Sequence, residues 1–184
     1  ARTGIKVHSE DLSEKITIPV EDTEREEYPL TLDQFKKIYD KTTIHRRKVK
    51  YLFMRDTGVR TQESIQITKS MITFDYDEKT GIARVKIPKK IVKGKTKARL
   101  NFLTKETALM VKELVLDLDD NTPIFVAPEI AHKTMHQIKS IESKALLRER
   151  DRLVKDGFSD FGLRHETGQH KIVLHSIRAF TATA

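Results

Sequence analysis

SMITFDYDEKTGIARVKIP, residues 70–88, is where the helical period of the chain gives way to a strand period. Ile72, Phe74 and Tyr76 alternate with polar residues, DEKTG (77–81) supplies a turn, and Ala83, Val85 and Ile87 alternate again. Period-two alternation on both sides of a glycine-containing turn predicts an antiparallel hairpin with one buried face. A third strand is expected at ARLNFL (98–103), beyond the lysine-rich link KKIVKGKTK (89–97).

Helical periods surround this hairpin. In PLTLDQFKKIYDKT (29–42), Leu32, Phe35, Ile38 and Tyr39 recur at helical spacing, and Thr31 with Gln34 has the spacing of a capping box. A second helix is expected over HRRKVKYLFMRD (45–56), with Val49, Leu52 and Phe53 toward the core. DTG (56–58) ends it on a glycine that accepts a left-handed turn. A short helix is expected over 61–67. Thr104 opens another to about Leu118, with Ala108, Val111, Leu114, Val115 and Leu118 as its buried stripe. TPIFVAP (122–128) reads as an extended segment, 131–156 as an exposed, charge-laced helix, and GFSDFGLRHETGQHK (157–171) as irregular. The final helix is expected to begin near His175. These elements define an α+β class, mostly helical with a small three-stranded antiparallel sheet. Residues 1–27, with the acidic run VEDTEREEYP (20–29) closing them, read as a partly disordered linker or arm. A short strand is possible there at KITIPV (15–20), and the domain is expected to occupy 28–184.

The chain has 184 residues, and 35 Lys and Arg against 27 Asp and Glu leave a formal charge of +8. A surplus of that size favours an anionic partner, nucleic acid or an acidic membrane surface. With no cysteine, a disulfide framework, a thiolate zinc site and a cysteine nucleophile are excluded. No apolar run reaches the roughly 18 to 20 residues of a spanning helix, so a soluble, cytoplasmic protein is expected.

Two arginines sit where neighbouring structure would hold them: Arg60, just after the glycine turn, and Arg178 in LHSIR (174–178). A guanidinium fork donates two charge-assisted hydrogen bonds and keeps its proton, so a pair can clamp a phosphodiester and hold the charge of a five-coordinate phosphorus. Glu63 has the spacing to pair with Arg60 or to cap the helix. His175, three residues before Arg178, can share its helix face and move protons near neutral pH. Lys93, Lys95 and Lys97 crowd around Gly94; an ammonium there could protonate a leaving alkoxide or simply tether a phosphate. His132 and His136 lie one turn apart but lack the glutamate of a metalloprotease motif, so no metal site is expected. Phosphate-loop, dinucleotide and Gly-x-Ser-x-Gly motifs are absent from the sequence.

The order of TGVRTQES (57–64), three strands with a lysine before ARLNFL, and HSIR (175–178) followed by AFTAT (179–183) resembles the catalytic domain of the tyrosine recombinases, the phage integrase family. PLTLDQFKKIY (29–39) resembles that family's first catalytic-domain helix. The resemblance implies site-specific recombination of double-stranded DNA through a 3′-phosphotyrosyl intermediate, with integration or excision as the outcome and no cofactor. It implies catalytic roles for Arg60, Lys95, His175 and Arg178, support from Glu63, and DNA contacts from Lys93, Lys97 and Arg99. Lys95 is the favoured hairpin lysine, then Lys93, then Lys97. It further implies a tetramer on paired DNA sites in the complete protein, associated with the nucleoid.

One member of the set does not appear. The family's nucleophilic tyrosine follows the His-x-x-Arg helix, whereas Tyr28, Tyr39, Tyr51 and Tyr76 all precede it. The domain is therefore expected to be truncated before that tyrosine and inactive as it stands. The competing readings are a catalytically inactive DNA-binding relative and a generic basic nucleic-acid or protein-interaction domain.

Overall fold

The structure, a computed structural model, describes residues 28–92 and 97–183. The arm expected over 1–27, with its short strand, and the candidate lysines Lys93 and Lys95 lie outside the described residues. The described elements run α1 (Leu32–Lys41), α2 (His45–Thr57), α3 (Thr61–Ser64), β1 (Ile72–Asp77), β2 (Ile82–Ile87), β3 (Arg99–Leu103), α4 (Lys105–Leu114), α5 (Met135–Lys155) and α6 (Leu174–Thr183). This is the expected mostly helical fold with one three-stranded antiparallel sheet in the order β1-β2-β3.

The local signals act as their chemistry requires. Thr31 and Gln34 close a reciprocal capping box at the start of α1, Gln34 N–H donating to Thr31 Oγ1 at 3.2 Å and Thr31 N–H to Gln34 Oε1 at 3.0 Å. Gly58 ends α2 at φ 60°, ψ 24°, a left-handed conformation that a Cβ would strain. Ala83, Val85 and Ile87 are all fully buried along β2, against the core side of the sheet. The alternation expected for β1 fails halfway. Its pairing with β2 shifts between Thr73 and Asp77, and Asp75 takes φ 54°. This bulge turns Tyr76 to the open face, where its ring meets Phe102 at 5.8 Å.

Helix α2 lies at the centre, packed against α6, α4, β3 and α3, while α1 packs on α5. One hydrophobic core runs from Leu30 to Phe180, and Ile65, Val126 and Ile138 form a smaller satellite. Helix α3 stops at Ser64, short of the expected Ile67, because the Ile67 carbonyl turns to accept the Ile124 N–H at 2.9 Å. That contact draws 122–127 inward, so Ile124, Phe125 and Val126 are buried in turns rather than in an extended strand. Helix α4 likewise ends at Leu114, with Val115 leaving helical geometry at φ −103°, ψ 5°.

The largest departure from expectation is α5, a helix that is buried along one side instead of exposed. Its Glu142 and Glu149, seven residues apart, face Arg47, Lys50 and Tyr51 of α2. Lys50, with 1% of its side chain exposed, contacts Glu142. Arg47 Nε lies 3.5 Å from Glu142 and its Nη1 3.7 Å from Glu149, while the Tyr51 hydroxyl donates to Glu149 at 2.9 Å. Burial first, and the Arg47 guanidinium second, push the Lys50 ammonium down to about 7, with Glu149 pulling the other way. Burial and the Glu149 charge hold the Tyr51 phenol well above its usual range. The network therefore holds together only as a whole, since each ion in it relies on its neighbours in place of water.

Farther along α5, the buried Arg150 contacts His170 at 2.9 Å. Burial, then Arg150 and Arg164, hold that imidazole below its usual 6.5.

Removing one partner of the α2–α5 network should cost more than removing a matched pair. Glu142→Gln should lower stability in urea denaturation by about 3–5 kcal/mol, and Lys50→Met with Glu142→Leu should recover most of the loss. Equal losses for the single and double variants would contradict the network. For His170, a lowered folded-state value means proton uptake on unfolding, so its contribution is present above 6.5 and lost as pH falls below it. His170→Gln should flatten the acid-side decline of the thermal midpoint just below pH 6.5, and an unchanged profile would refute that role.

Candidate functional site

The site grows from the turn that follows α2. Asp56 Oδ2 accepts from Thr104 N–H at 2.9 Å and Thr104 Oγ1 at 2.8 Å, at the point where β3 passes into α4. The Thr57 carbonyl accepts from Asn101 Nδ2 of β3 at 2.8 Å. The Gly58 carbonyl accepts from Arg178 Nε of α6 at 2.9 Å. Three consecutive residues are thus held by two distant segments, the β3–α4 junction and α6. The left-handed glycine lets their polar groups point in these directions without a Cβ in the way.

Arg60 follows two residues later, as the N-cap of α3. Its N–H donates to Glu63 Oε2 at 2.8 Å, and its Nη1 lies 3.5 Å from Glu63 Oε1. Glu63 is 1% exposed, and two cationic side chains stand beside its carboxylate in place of water. The second is Arg99 at the start of β3, whose Nη2 reaches Glu63 Oε2 at 2.7 Å. Arg60 keeps 37% of its side chain exposed and Arg99 keeps 26%.

Helix α6 brings the other expected pair. Arg178 is half-buried through its bond to the Gly58 carbonyl, and His175, one turn earlier, is exposed. Their helix start is fixed by the buried Ser176, whose hydroxyl accepts from Val173 N–H at 3.2 Å and donates to the Lys171 carbonyl at 3.1 Å. The structure therefore places Arg60, Glu63, Arg99 and Arg178 around one turn, with His175 on the same helix as Arg178. Lys97 is exposed just before β3. His132 and His136 stand at the start of the α5 region, and no metal-holding cluster occurs among the described residues.

Asp56, Asn101 and Thr104 are the members of this site that the sequence does not announce. Asp56 alone carries a signal, a carboxylate at the end of an apolar period two residues before a glycine; Asn101 and Thr104 carry none. None of the four tyrosines stands at the turn. Tyr51 is buried against Glu149, Tyr39 turns its hydroxyl to Met110 Sδ at 3.8 Å, Tyr28 lies under Lys171, and Tyr76 stacks with Phe102.

The fold class this geometry defines is the tyrosine-recombinase type of architecture, a helical body with a three-stranded antiparallel sheet beside the arginine turn. A solved structure to which the chain is similar is that of the XerH site-specific recombinase bound to difH substrate in a pre-cleavage complex. The TM-score is 0.53 at 19% sequence identity, and the match covers 85% of this chain and 42% of that one. No family model and no curated protein match the sequence. No helix among the described residues is long and apolar enough to cross a membrane.

If the turn is held as described, Gly58→Ala should cost about 1–2 kcal/mol from the left-handed backbone alone. Arg178→Met should cost roughly 1.5–3 kcal/mol by removing a charge-assisted bond. Urea denaturation measures both, and an Arg178→Met midpoint equal to that of the parent chain would contradict the clasp.

Proposed function

We propose that this chain is the arginine-bearing part of a DNA-cleaving and rejoining enzyme of the tyrosine recombinase kind. The observation that carries the reading is the bond from Arg178 to the Gly58 carbonyl, two residues before Arg60. It ties two arginines 118 residues apart to one turn, which supports a phosphate clamp. The +8 charge and the likeness in fold to a recombinase bound to its DNA substrate support the same reading.

In the proposed step a tyrosine oxygen attacks a backbone phosphorus. A P–O bond to tyrosine forms, the P–O5′ bond breaks, and the departing 5′-oxygen takes a proton from the hairpin lysine, Lys95. Arg60 and Arg178 hold the negative charge that builds on the non-bridging oxygens, and His175 takes up or relays the phenolic proton. Glu63 supports Arg60, and Lys93 and Lys97 hold the DNA backbone. Reversal with a second 5′-hydroxyl rejoins the strand without further energy. The four tyrosines of this sequence are engaged elsewhere, so the reading takes its nucleophile from beyond residue 184, and its tetramer on paired sites from the complete protein. The same placement of the tyrosines favours, as a second reading, a DNA-binding relative without cleavage activity.

The test uses the full natural chain on a nicked duplex bearing its own recombination site, in EDTA, read by denaturing gel and mass. A covalent adduct at a tyrosine beyond residue 184 is expected, slowed about 100- to 1,000-fold by Arg60→Ala or Arg178→Ala. Tight binding with no adduct would select the silent relative. Duplex binding itself should weaken roughly tenfold or more between 50 and 200 mM salt. Salt-independent binding would remove the basis for either reading.

A further inference from the structure

We propose that Arg99 is a positioning residue of the Arg60 site: by taking the close bond to Glu63 it leaves the Arg60 guanidinium turned outward for an anion. The inference rests on the proposed function for its activity arm only.

One buried carboxylate stands between two guanidiniums, and it treats them unequally. Glu63 Oε2 is 2.7 Å from Arg99 Nη2, a close charge-assisted bond, whereas Glu63 Oε1 is 3.5 Å from Arg60 Nη1, at the outer limit of one. Oε2 also accepts the Arg60 backbone N–H at 2.8 Å, so Glu63 holds the Arg60 main chain while only grazing its side chain. Arg99 is partly buried: its Nε is shielded from solvent and has no hydrogen-bond partner among the described residues. Its side chain is fixed by the strand that carries it and by Glu63.

The consequence follows from charge. A carboxylate that is 1% exposed draws the nearest mobile cation to itself when it loses its main partner. Without Arg99, that cation is Arg60. The Arg60 fork would close onto Glu63 in a bidentate pair and be withdrawn from an incoming phosphate oxygen. Arg99 also begins β3, so the same bond ties the start of that strand to the arginine turn. Arg99 thereby acts through Glu63, without needing to touch DNA.

This mechanism makes a prediction about sign that neither a DNA contact nor a merely structural role shares. Arg99→Met should slow adduct formation about 100-fold, with the effect in kcat rather than in DNA affinity. Adding Glu63→Gln to Arg99→Met should restore about tenfold of that loss, because the neutral amide no longer competes for Arg60. Arg99→Lys should fall between parent and Arg99→Met. A double variant slower than Arg99→Met would overturn the proposal.

A second readout needs no recombinase activity. In the 184-residue chain, 15N NMR of the arginine side chains should show the Arg60 Nε–H more protected from solvent exchange in Arg99→Met than in the parent, and less so in the double variant. Unchanged Arg60 protection would overturn the proposal even if the adduct forms. Absence of an adduct in the parent chain would remove the proposed function while leaving this arm to decide the role of Arg99.

Discussion

The left-handed turn at residues 56–58 is the constraint on which the arrangement of this molecule depends. A helix that ends against a core leaves its last carbonyls in need of partners. Here they are taken by side chains from elsewhere: Asn101 serves the Thr57 carbonyl and Arg178 that of Gly58, while Asp56 receives Thr104. Satisfying the end of one helix therefore fixes where β3, the start of α4 and the start of α6 must lie. The same bonds that meet a folding requirement bring Arg60, Arg99 and Arg178 to one place. In this sense the site is a by-product of how α2 terminates.

The other constraint is electrostatic and sits on the opposite flank of α2. Helix α2 is packed on several sides, so that Lys50 and most of Arg47 are shut off from water and find carboxylates on α5 instead. Such a buried network adds little net stability compared with a well-packed apolar seam, but it admits few alternative registers. Glu142 and Glu149 are seven residues apart, two helical turns, and they oppose Arg47, Lys50 and Tyr51, which lie within one turn of each other. Sliding α5 by one turn would leave at least one ion buried alone. The seam thus sets the position of α5.

Sequence reading went furthest where a local rule has one outcome. The Thr31–Gln34 cap, the glycine stop of α2, the alternation of Ala83, Val85 and Ile87, and the third strand all follow from short-range sterics and hydrogen bonding, and all are in the structure. Reading fell short where tertiary contacts override a local pattern. The period of β1 is spoiled by a bulge at Asp75, for which the sequence offers no glycine as a marker. Charges along α5 look like a solvated face because their partners, almost 100 residues away, do not show in a local window. Of the site, Arg60 and Arg178 were legible as residues but not their link through the Gly58 carbonyl. A main-chain acceptor has no letter in the sequence. Arg99 could be picked out as basic, yet its commitment to Glu63 depends on a strand crossing that only the fold supplies.

The two charge systems of this protein differ in a way that separates structure from chemistry. In the α2–α5 seam, two cations meet two carboxylates, and the groups involved are almost wholly buried; the seam is internally neutral and has nothing left to offer a ligand. At the turn, Arg60 and Arg99 share the single carboxylate of Glu63, leaving one positive charge in excess, and both guanidiniums retain exposed area. A formal surplus of +8 says only that cations outnumber anions over the whole chain. It is the unequal division of one buried carboxylate that localises part of that surplus on a rigid frame, where an anion can meet it with little reorganisation. The seam shows the other arrangement, two cations set against two carboxylates. Incomplete pairing at the turn is therefore the physical feature that sets it apart from the seam.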